Sequence, residues 1–483
     1  MQYDIIIIGA GAVGCAIARE LSLYEGSVRV LEKEYDVAAG TSGRNSAVSH
    51  AGFNNRPGSL MAKLCVEGNE GFEALCKALD VPFRKTGKVL AAFNEADMET
   101  LKGLIRQGEQ NGCKGLRLIS REEVQALVPG IDCVGGMLSP NTAIYNPFKY
   151  AVALAENAME NGVTFGFGEP VTTIRPRPEG GFTVTTPKQT YETEVLINSA
   201  GLYADVISDM AGVGGYRLYP CRGEYYVLDQ IADSTLRIPV YPAPRKGIGG
   251  LGVHLTPTIH GNIIIGPNAD YIDDREDYSA TPAAMEQLWR EASLLLPSLK
   301  KSDVIGNYSG IRPKQAPKGE GGFRDFVIKR EPDAPGLINL IGIESPGLTA
   351  SYPIAKMVRG LVEEMTPLRA KADARLTHRF PPVFKELPDE EKAKLIAEDP
   401  AYGEIVCRCQ RVTKREIRDA IKNPLGVRSI SAIKYRAWVT TGRCNGGYCL
   451  NRIVDMLVKE YGMKKEEISL RGSGSELFSG EVK

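Results

Sequence analysis

The sequence is poor in several things, and each shortage narrows what the chain can do. It has 4 histidines and 2 tryptophans among 483 residues, so a proton-accepting imidazole has few addresses. It has no excess of either charge: Lys+Arg and Asp+Glu are both 59 and the formal net charge is +0. Neutralising nucleic-acid phosphates takes a basic excess, so nucleic acid is excluded as a bulk partner. No uninterrupted apolar run approaches the roughly 20 residues of a membrane-spanning helix. The opening Met1-Gln-Tyr-Asp-Ile-Ile-Ile-Ile8 enters a strand directly, without the basic region and cleavage site of a secretory signal. The expected compartment is the cytoplasm, with membrane association through a partner left open.

Ten cysteines are present. Six are scattered (Cys15, Cys65, Cys76, Cys113, Cys133, Cys221) and read as buried thiols of a reducing compartment. The other four are close-spaced near the C-terminus: Cys407-Arg-Cys409 and Cys444-Asn-Gly-Gly-Tyr-Cys449.

The continuous apolar run Ile5–Ile8 suits a strand buried on both faces. A helix is predicted over Ala12–Leu23 and a second strand over Val28–Leu31, and this β-α-β order implies a parallel sheet. Further strands are predicted at Val89–Phe93, Phe182–Thr186, Val195–Asn198 and Leu337–Ile343, and helices at Glu95–Asn111, Tyr150–Asn161 and Ile354–Glu364. Between Tyr216 and Gly310 strand patterns dominate (Glu224–Leu228, Gly252–Thr256, Asn262–Gly266) and predict an antiparallel sheet. The stretch Pro367–Pro400 is charged and proline-bearing, and reads as a linker. The tail from Arg471-Gly-Ser-Gly-Ser475 onward is expected to be mobile.

Gly9-Ala-Gly-Ala-Val-Gly14 follows a strand and opens a helix. In that context Gly9, Gly11 and Gly14 permit a tight turn whose backbone N–H groups approach a pyrophosphate. Glu32 ends the next strand, where a carboxylate can accept both ribose hydroxyls. Spacing alone is weak evidence: Gly247-Ile-Gly-Gly-Leu-Gly252 satisfies it too, but Val253-His-Leu-Thr-Pro257 cannot continue as a helix, and that copy reads as a hairpin loop. The fingerprint does not choose between FAD and NAD.

Seven further segments make that choice: Ser42-Gly-Arg-Asn-Ser46, His50-Ala-Gly52, Arg222-Gly-Glu-Tyr-Tyr226, Gly252-Val-His-Leu-Thr256, Gly266-Pro-Asn268, Gly310-Ile-Arg312 and Ser345-Pro-Gly-Leu-Thr-Ala350. With them, residues 1 to about 366 resemble the D-amino-acid-oxidase-like flavoproteins, and within that superfamily the glycerol-3-phosphate and L-2-hydroxyglutarate dehydrogenases. The resemblance implies a mixed α/β and α+β architecture. A discontinuous Rossmann-like FAD-binding domain would comprise 1–82, 149–215 and 336–366, and an antiparallel-sheet substrate domain 83–148 and 216–335. The linker would be 367–400, a small helical cysteine module 401–466, and the tail 467–483.

It also implies that Ser42, Ser46 and the His50–Gly52 turn approach the isoalloxazine, Val171 the adenine, Ala200 and Gly201 the pyrophosphate, and the backbone of Gly347, Leu348 and Thr349 the flavin pyrimidine. Lys33 and Asn45 complete the expected cofactor set. The alternative for Gly347 is a plain helix-capping role. His50, Arg222, Tyr225, Arg312 and Lys314 are the expected substrate contacts.

Oxidising a secondary alcohol needs a base for the hydroxyl proton. His378, in the linker, and His260, in a turn, read as surface residues. His254 is the candidate base: strand alternation puts Val253 on one face and His254 on the other, either toward a site or toward solvent. Arg312 is the candidate for holding an anionic group bidentately. Basic residues around it (Lys314, Lys318, Arg324, Lys329) tilt the substrate toward sn-glycerol 3-phosphate, although they also suit a solvated basic loop. Two departures count against the phosphate-binding pattern: Phe53-Asn54, with Arg56 nearby, stand where the phosphate enzymes commonly carry an Arg, and Ser345-Pro-Gly347, where they commonly carry a Lys, is more similar to the 2-hydroxyglutarate enzymes.

Four thiolates at Cys407, Cys409, Cys444 and Cys449 suit Zn²⁺ or a [2Fe–2S] cluster. Cys-x-Cys followed by Cys-x4-Cys resembles the bacterioferritin-associated-ferredoxin-like [2Fe–2S] domain, which also ends anaerobic glycerol-3-phosphate dehydrogenase large subunits. Arg408, Arg411 and Arg443 could offset the charge of such a cluster. A one-electron centre on a flavoprotein implies that electrons leave through protein, to a second flavoprotein or another acceptor subunit. The alternative from another class is an electron-transfer subunit that no longer oxidises substrate.

Overall fold

The computed structural model of the protein describes residues 1–230, 236–244, 252–320 and 324–480. Residues 247–251 of the second glycine run lie outside them.

The four consecutive isoleucines of the first strand, Gln2–Ile8, are buried on both faces, as a parallel strand flanked by two neighbours requires. It pairs in parallel with Val28–Leu31 on one side and Thr190–Asn198 on the other. These belong to an 8-stranded sheet running Thr173–Pro176, Phe182–Thr185, Thr190–Asn198, Gln2–Ile8, Val28–Leu31, Thr164–Gly166. Leu337–Ile341 adds to Thr190–Asn198, and Val327–Arg330 pairs with Leu337–Ile341. One core, from Ile5 to Ala432, unites this sheet with the helices Ala12–Ser22, Leu60–Ala78, Pro147–Glu160 and Gly347–Glu363 and takes in Leu425, Val427 and Ala432.

The helix after Leu337–Ile341 begins at Gly347, a full seven residues before its predicted start. Pro353 lies inside it. Proline has no N–H for the Thr349 carbonyl four residues back, and that carbonyl rests in close contact with Gly68, where a side chain would collide with it.

A second sheet has 9 strands. It is antiparallel except where Val240–Pro242 runs parallel to Lys88–Ala92. Val253 and Leu255 bury against the helix Pro282–Leu295, whereas His254 between them takes the opposite face. Strand periodicity thus places His254 toward the cavity.

Three expectations need correction. His378 is buried, with Nδ1 2.9 Å from Glu160 and Nε2 3.3 Å from Glu156, and so pins the linker to the helix Pro147–Glu160. The linker also contains a helix, Asp389–Glu398. His260 is half-buried under Trp438, with ring centroids 3.7 Å apart. The described part of the tail is packed: Leu477 and Phe478 cover the cysteine module's core, and Gly472 sits against Tyr35. In each case a partner distant in sequence supplies the burial.

Candidate active site and candidate cluster site

A cavity of about 1080 Å³ is lined by residues of both sheets. That is the upper end of small-molecule sites and suits a dinucleotide with a small substrate beside it. At one end stands the glycine turn. Gly9 has φ +101°, and a side chain there would meet the Ser199 carbonyl. Gly11 lines the cavity, and Ser42 Oγ accepts from the Ala12 amide behind it. Gly14 does not line it: its hydrogen lies against the Gly9 carbonyl, so it serves helix–strand packing. Gly14→Val is expected to purify with at least about tenfold less flavin, read from the ratio of flavin to protein absorbance; full flavin content would refute this use of the turn.

Glu32 is half-buried and accepts from the amides of Ala10 (2.6 Å) and Glu34 (2.9 Å). Burial raises its carboxyl pKa, and those two amides oppose the rise. Lys33, Ser42, Asn45, Ser46, His50, Ala200, Gly201, Gly347, Leu348 and Thr349 all line the same cavity. The His50 amide donates to Thr349 Oγ1 at 3.0 Å, tying the His50 turn to the loop that opens the last helix. Val171 stands apart from the cavity wall: it packs on the apolar layer of Ile8, Leu31 and Ile174.

On the substrate side, Tyr225, His254, Arg312 and Lys314 line the cavity. Tyr225 stacks on Tyr308 at 4.6 Å. The Arg312 guanidinium donates to three backbone carbonyls: Cys221 (3.3 Å), Arg222 (3.3 Å) and Asn268 (2.6 Å). Those bonds fix its plane without neutralising its charge. Two expected substrate cations are occupied instead. Arg222 is turned away from the cavity into Glu224 (3.2 Å), Asp270 (3.1 Å) and Asp277 (2.5 Å). Lys314 forms a buried ion pair with Glu344 at 2.9 Å. A basic cluster in sequence carries no sign of which members already have carboxylates.

His254 is held in one tautomer. Its Nδ1 lies 3.0 Å from the Gly252 carbonyl, which can only accept, so Nδ1 carries the hydrogen and Nε2 the lone pair. Nε2 is buried with no hydrogen-bond partner among the described residues. The ring stacks on Tyr241 at 3.7 Å. Burial lowers its pKa to about 3; the Gly252 bond opposes this, and Lys88 and Arg312 add to it.

Lys88 and Tyr241 are the site residues that sequence reasoning missed. Lys88 opens a short apolar strand, where a lysine reads as a solvated end; here it is 1% exposed and lines the cavity. The usable signal was the strand's alternation, which puts Lys88 on the face opposite Val89 and Ala91.

The four C-terminal cysteines converge. Cys407 and Cys409 sulfurs are 3.7 Å apart and Cys409 and Cys444 sulfurs 4.0 Å apart. Cys449 bonds the Cys407 thiol and the Thr440 amide, and is lowered to about 7, with the Cys407 bond the larger cause. Backbone amides of Gly446 and Tyr448 point at Cys444, and that of Gln410 at Cys407. Among the described residues no three His, Cys, Asp or Glu side chains close on one ion position. A row of four thiols with backbone donors suits a cluster of two metal atoms better than a single zinc.

This module docks on the rest of the chain. Arg436 is buried against Asp36 (2.8 Å) and Glu156 (3.6 Å). Tyr435 stacks on Phe148 at 3.9 Å, and Phe148 packs against Gly43 of the loop that lines the cavity. Arg443 pairs with Asp229 at 2.7 Å, so it braces the docking rather than the thiols.

No helix among the described residues is long and apolar enough to cross a membrane. Residues 4–361 match the family model described as FAD dependent oxidoreductase, and residues 405–459 the BFD-like [2Fe-2S] binding domain. The chain is 37% identical over 485 residues to a glycerol 3-phosphate dehydrogenase of Caloramator mitchellensis, covering 100% of this chain and 99% of the relative. It is 33% identical to a mitochondrial L-2-hydroxyglutarate dehydrogenase of Arabidopsis thaliana, covering 74% of this chain and 83% of the relative. Among solved structures it is similar to the FAD-bound L-alpha-glycerophosphate oxidase of Mycoplasma pneumoniae, with TM-score 0.74 and 29% identity, covering 79% of this chain and 99% of that one. The cavity between the sheets and the thiols behind it therefore belong to one chain of known kind: it is a member of the FAD-dependent oxidoreductase family, extended by a BFD-like [2Fe–2S] binding domain.

Proposed function

We propose that the chain oxidises sn-glycerol 3-phosphate to dihydroxyacetone phosphate and passes the electrons through its [2Fe–2S] module to an acceptor on another chain. The observation that carries this is His254: a buried Nε2 lone pair without a partner among the described residues, on the cavity face that also presents Arg312. Arg312, with its plane fixed and no ion pair among the described residues, holds the anionic group. Nε2 of His254 accepts the hydroxyl proton as the carbon gives up its hydride. FAD, when bound along the glycine turn, Glu32 and the Gly347–Thr349 backbone, supplies the two-electron acceptor. Tyr225 and Tyr241 wall the site against water. These roles are supported by placement and by the relatives that oxidise glycerol 3-phosphate.

The depressed pKa of His254 has a consequence for pH. Its base form is present at every pH above about 3, so His254 itself should give no loss of kcat/KM as pH falls from 8 to 5.

A second reading, oxidation of L-2-hydroxyglutarate, is favoured by the pairing of Lys314 with Glu344, which withholds a cation that a phosphate dianion would use. Arg312→Met separates substrate holding from chemistry: KM should rise at least about tenfold for the true substrate with a smaller change in kcat. An unchanged KM would remove Arg312 from substrate binding.

A further inference from the structure

Lys88 has no place in the chemistry described so far. Its amine is buried in the cavity wall on the strand Lys88–Ala92. Among the described residues it has no carboxylate partner; what it meets are aromatic faces, Phe53 at 4.7 Å and Tyr241 at 4.4 Å. The titratable groups around it are His50 from the preceding loop, Cys65 from the helix Leu60–Ala78, Tyr241 and His254 from the neighbouring strands, and Cys113 beyond Cys65. None supplies a negative charge near neutral pH. Burial pushes the amine down to about 7, with only Cys65 opposing. Burying an ammonium without a counter-ion is costly. Two rings give it a weak berth, and the open side is the cavity.

We propose that Lys88 is a substrate-binding residue, whose amine receives the anionic group of the substrate as the second cation beside Arg312. The inference rests on the reading of this cavity as an anionic-substrate site. It supplies the cation that Arg222 and Lys314, already paired, do not. It also links binding to chemistry. Lys88 and Arg312 are the two charges that depress His254. A substrate anion lying between them cancels both, and the base strengthens when substrate is present. The sign for Lys88 follows: an anion raises its pKa, so at pH 8, where the free amine is mostly neutral and a phosphate monoester fully ionised, binding takes up a proton.

The test is calorimetric titration of the oxidised holoenzyme at pH 8, in buffers of different ionisation heat, with the keto products dihydroxyacetone phosphate and 2-oxoglutarate as non-reducing probes. Flavin absorbance reports that each variant is folded. At least about half a proton should be taken up per site by whichever probe binds. Lys88→Met should abolish the uptake and weaken binding by about tenfold or more. Lys88→Arg, always charged, should keep the affinity but lose the uptake. If the wild type binds a probe without uptake, or Lys88→Met keeps both uptake and affinity, Lys88 is not the second cation, although the site reading stands. If neither probe binds the wild type, the anionic-substrate reading falls and takes the Lys88 role with it.

Discussion

Replacing His254 with Gln is expected to slow substrate reduction of the flavin by roughly 10²–10⁴-fold, the usual worth of a positioned general base. Binding of the keto product should change by only a few-fold. Gln keeps a polar side chain of similar reach but offers no basic nitrogen. The reason for so large an effect is that His254 turns a lone pair with no hydrogen-bond partner among the described residues into the cavity. Glu32 belongs to the nucleotide end, and Glu344 is paired to Lys314. Stopped-flow bleaching of the flavin band under anaerobic conditions measures the rate. A loss smaller than about fivefold would transfer the proton to another group.

The second large effect is at the thiols. Cys444→Ser should take iron and acid-labile sulfide from about two of each per chain to near background. Flavin content and flavin reduction by substrate should survive. The separation is expected because the module has its own hydrophobic core, from Val406 to Ile468, and it docks on the rest through Arg436, Tyr435, Trp438, Arg443 and the apolar Leu425, Val427 and Ala432 rather than through the cysteine side chains. Cys444 is exposed, so the change costs little packing. Turnover with a one-electron acceptor should fall with the iron. Zinc in the wild-type protein, or a variant that retains iron and sulfide, would overturn the assignment.

Local signals are enough to bring the glycine turn and the acid after the second strand to one end of the cavity. The turn Gly9–Gly14, the strand Val28–Leu31 and the acid Glu32 are neighbours in sequence and obey local geometry, so their pattern is readable directly. His254 was reachable too, because two-residue alternation is a property of a single strand. The charges were not. Whether Arg222, Lys314 or Lys88 meets substrate depends on Asp277, on Glu344 and on Lys88 having no carboxylate partner among the described residues, and the two carboxylates come from loops 30 or more residues away. The same holds for His260 and His378. A turn histidine and a linker histidine look solvated until Trp438 and Glu160 arrive from elsewhere in the chain. The helix Gly347–Glu363 runs through Pro353, and the glycine of a neighbouring helix shows how its stranded carbonyl is accommodated.

The most direct measurement is an anaerobic titration of the oxidised holoenzyme, in parallel with sn-glycerol 3-phosphate and L-2-hydroxyglutarate, following flavin absorbance and the paramagnetic signal of a reduced [2Fe–2S] centre. The account predicts that glycerol 3-phosphate bleaches the flavin within about two equivalents, since flavin and cluster together take three electrons and the substrate gives two. The cluster signal should appear in the same samples. Bleaching by L-2-hydroxyglutarate alone would contradict the proposed substrate, and bleaching by neither would leave a chain whose flavin site does not oxidise these alcohols.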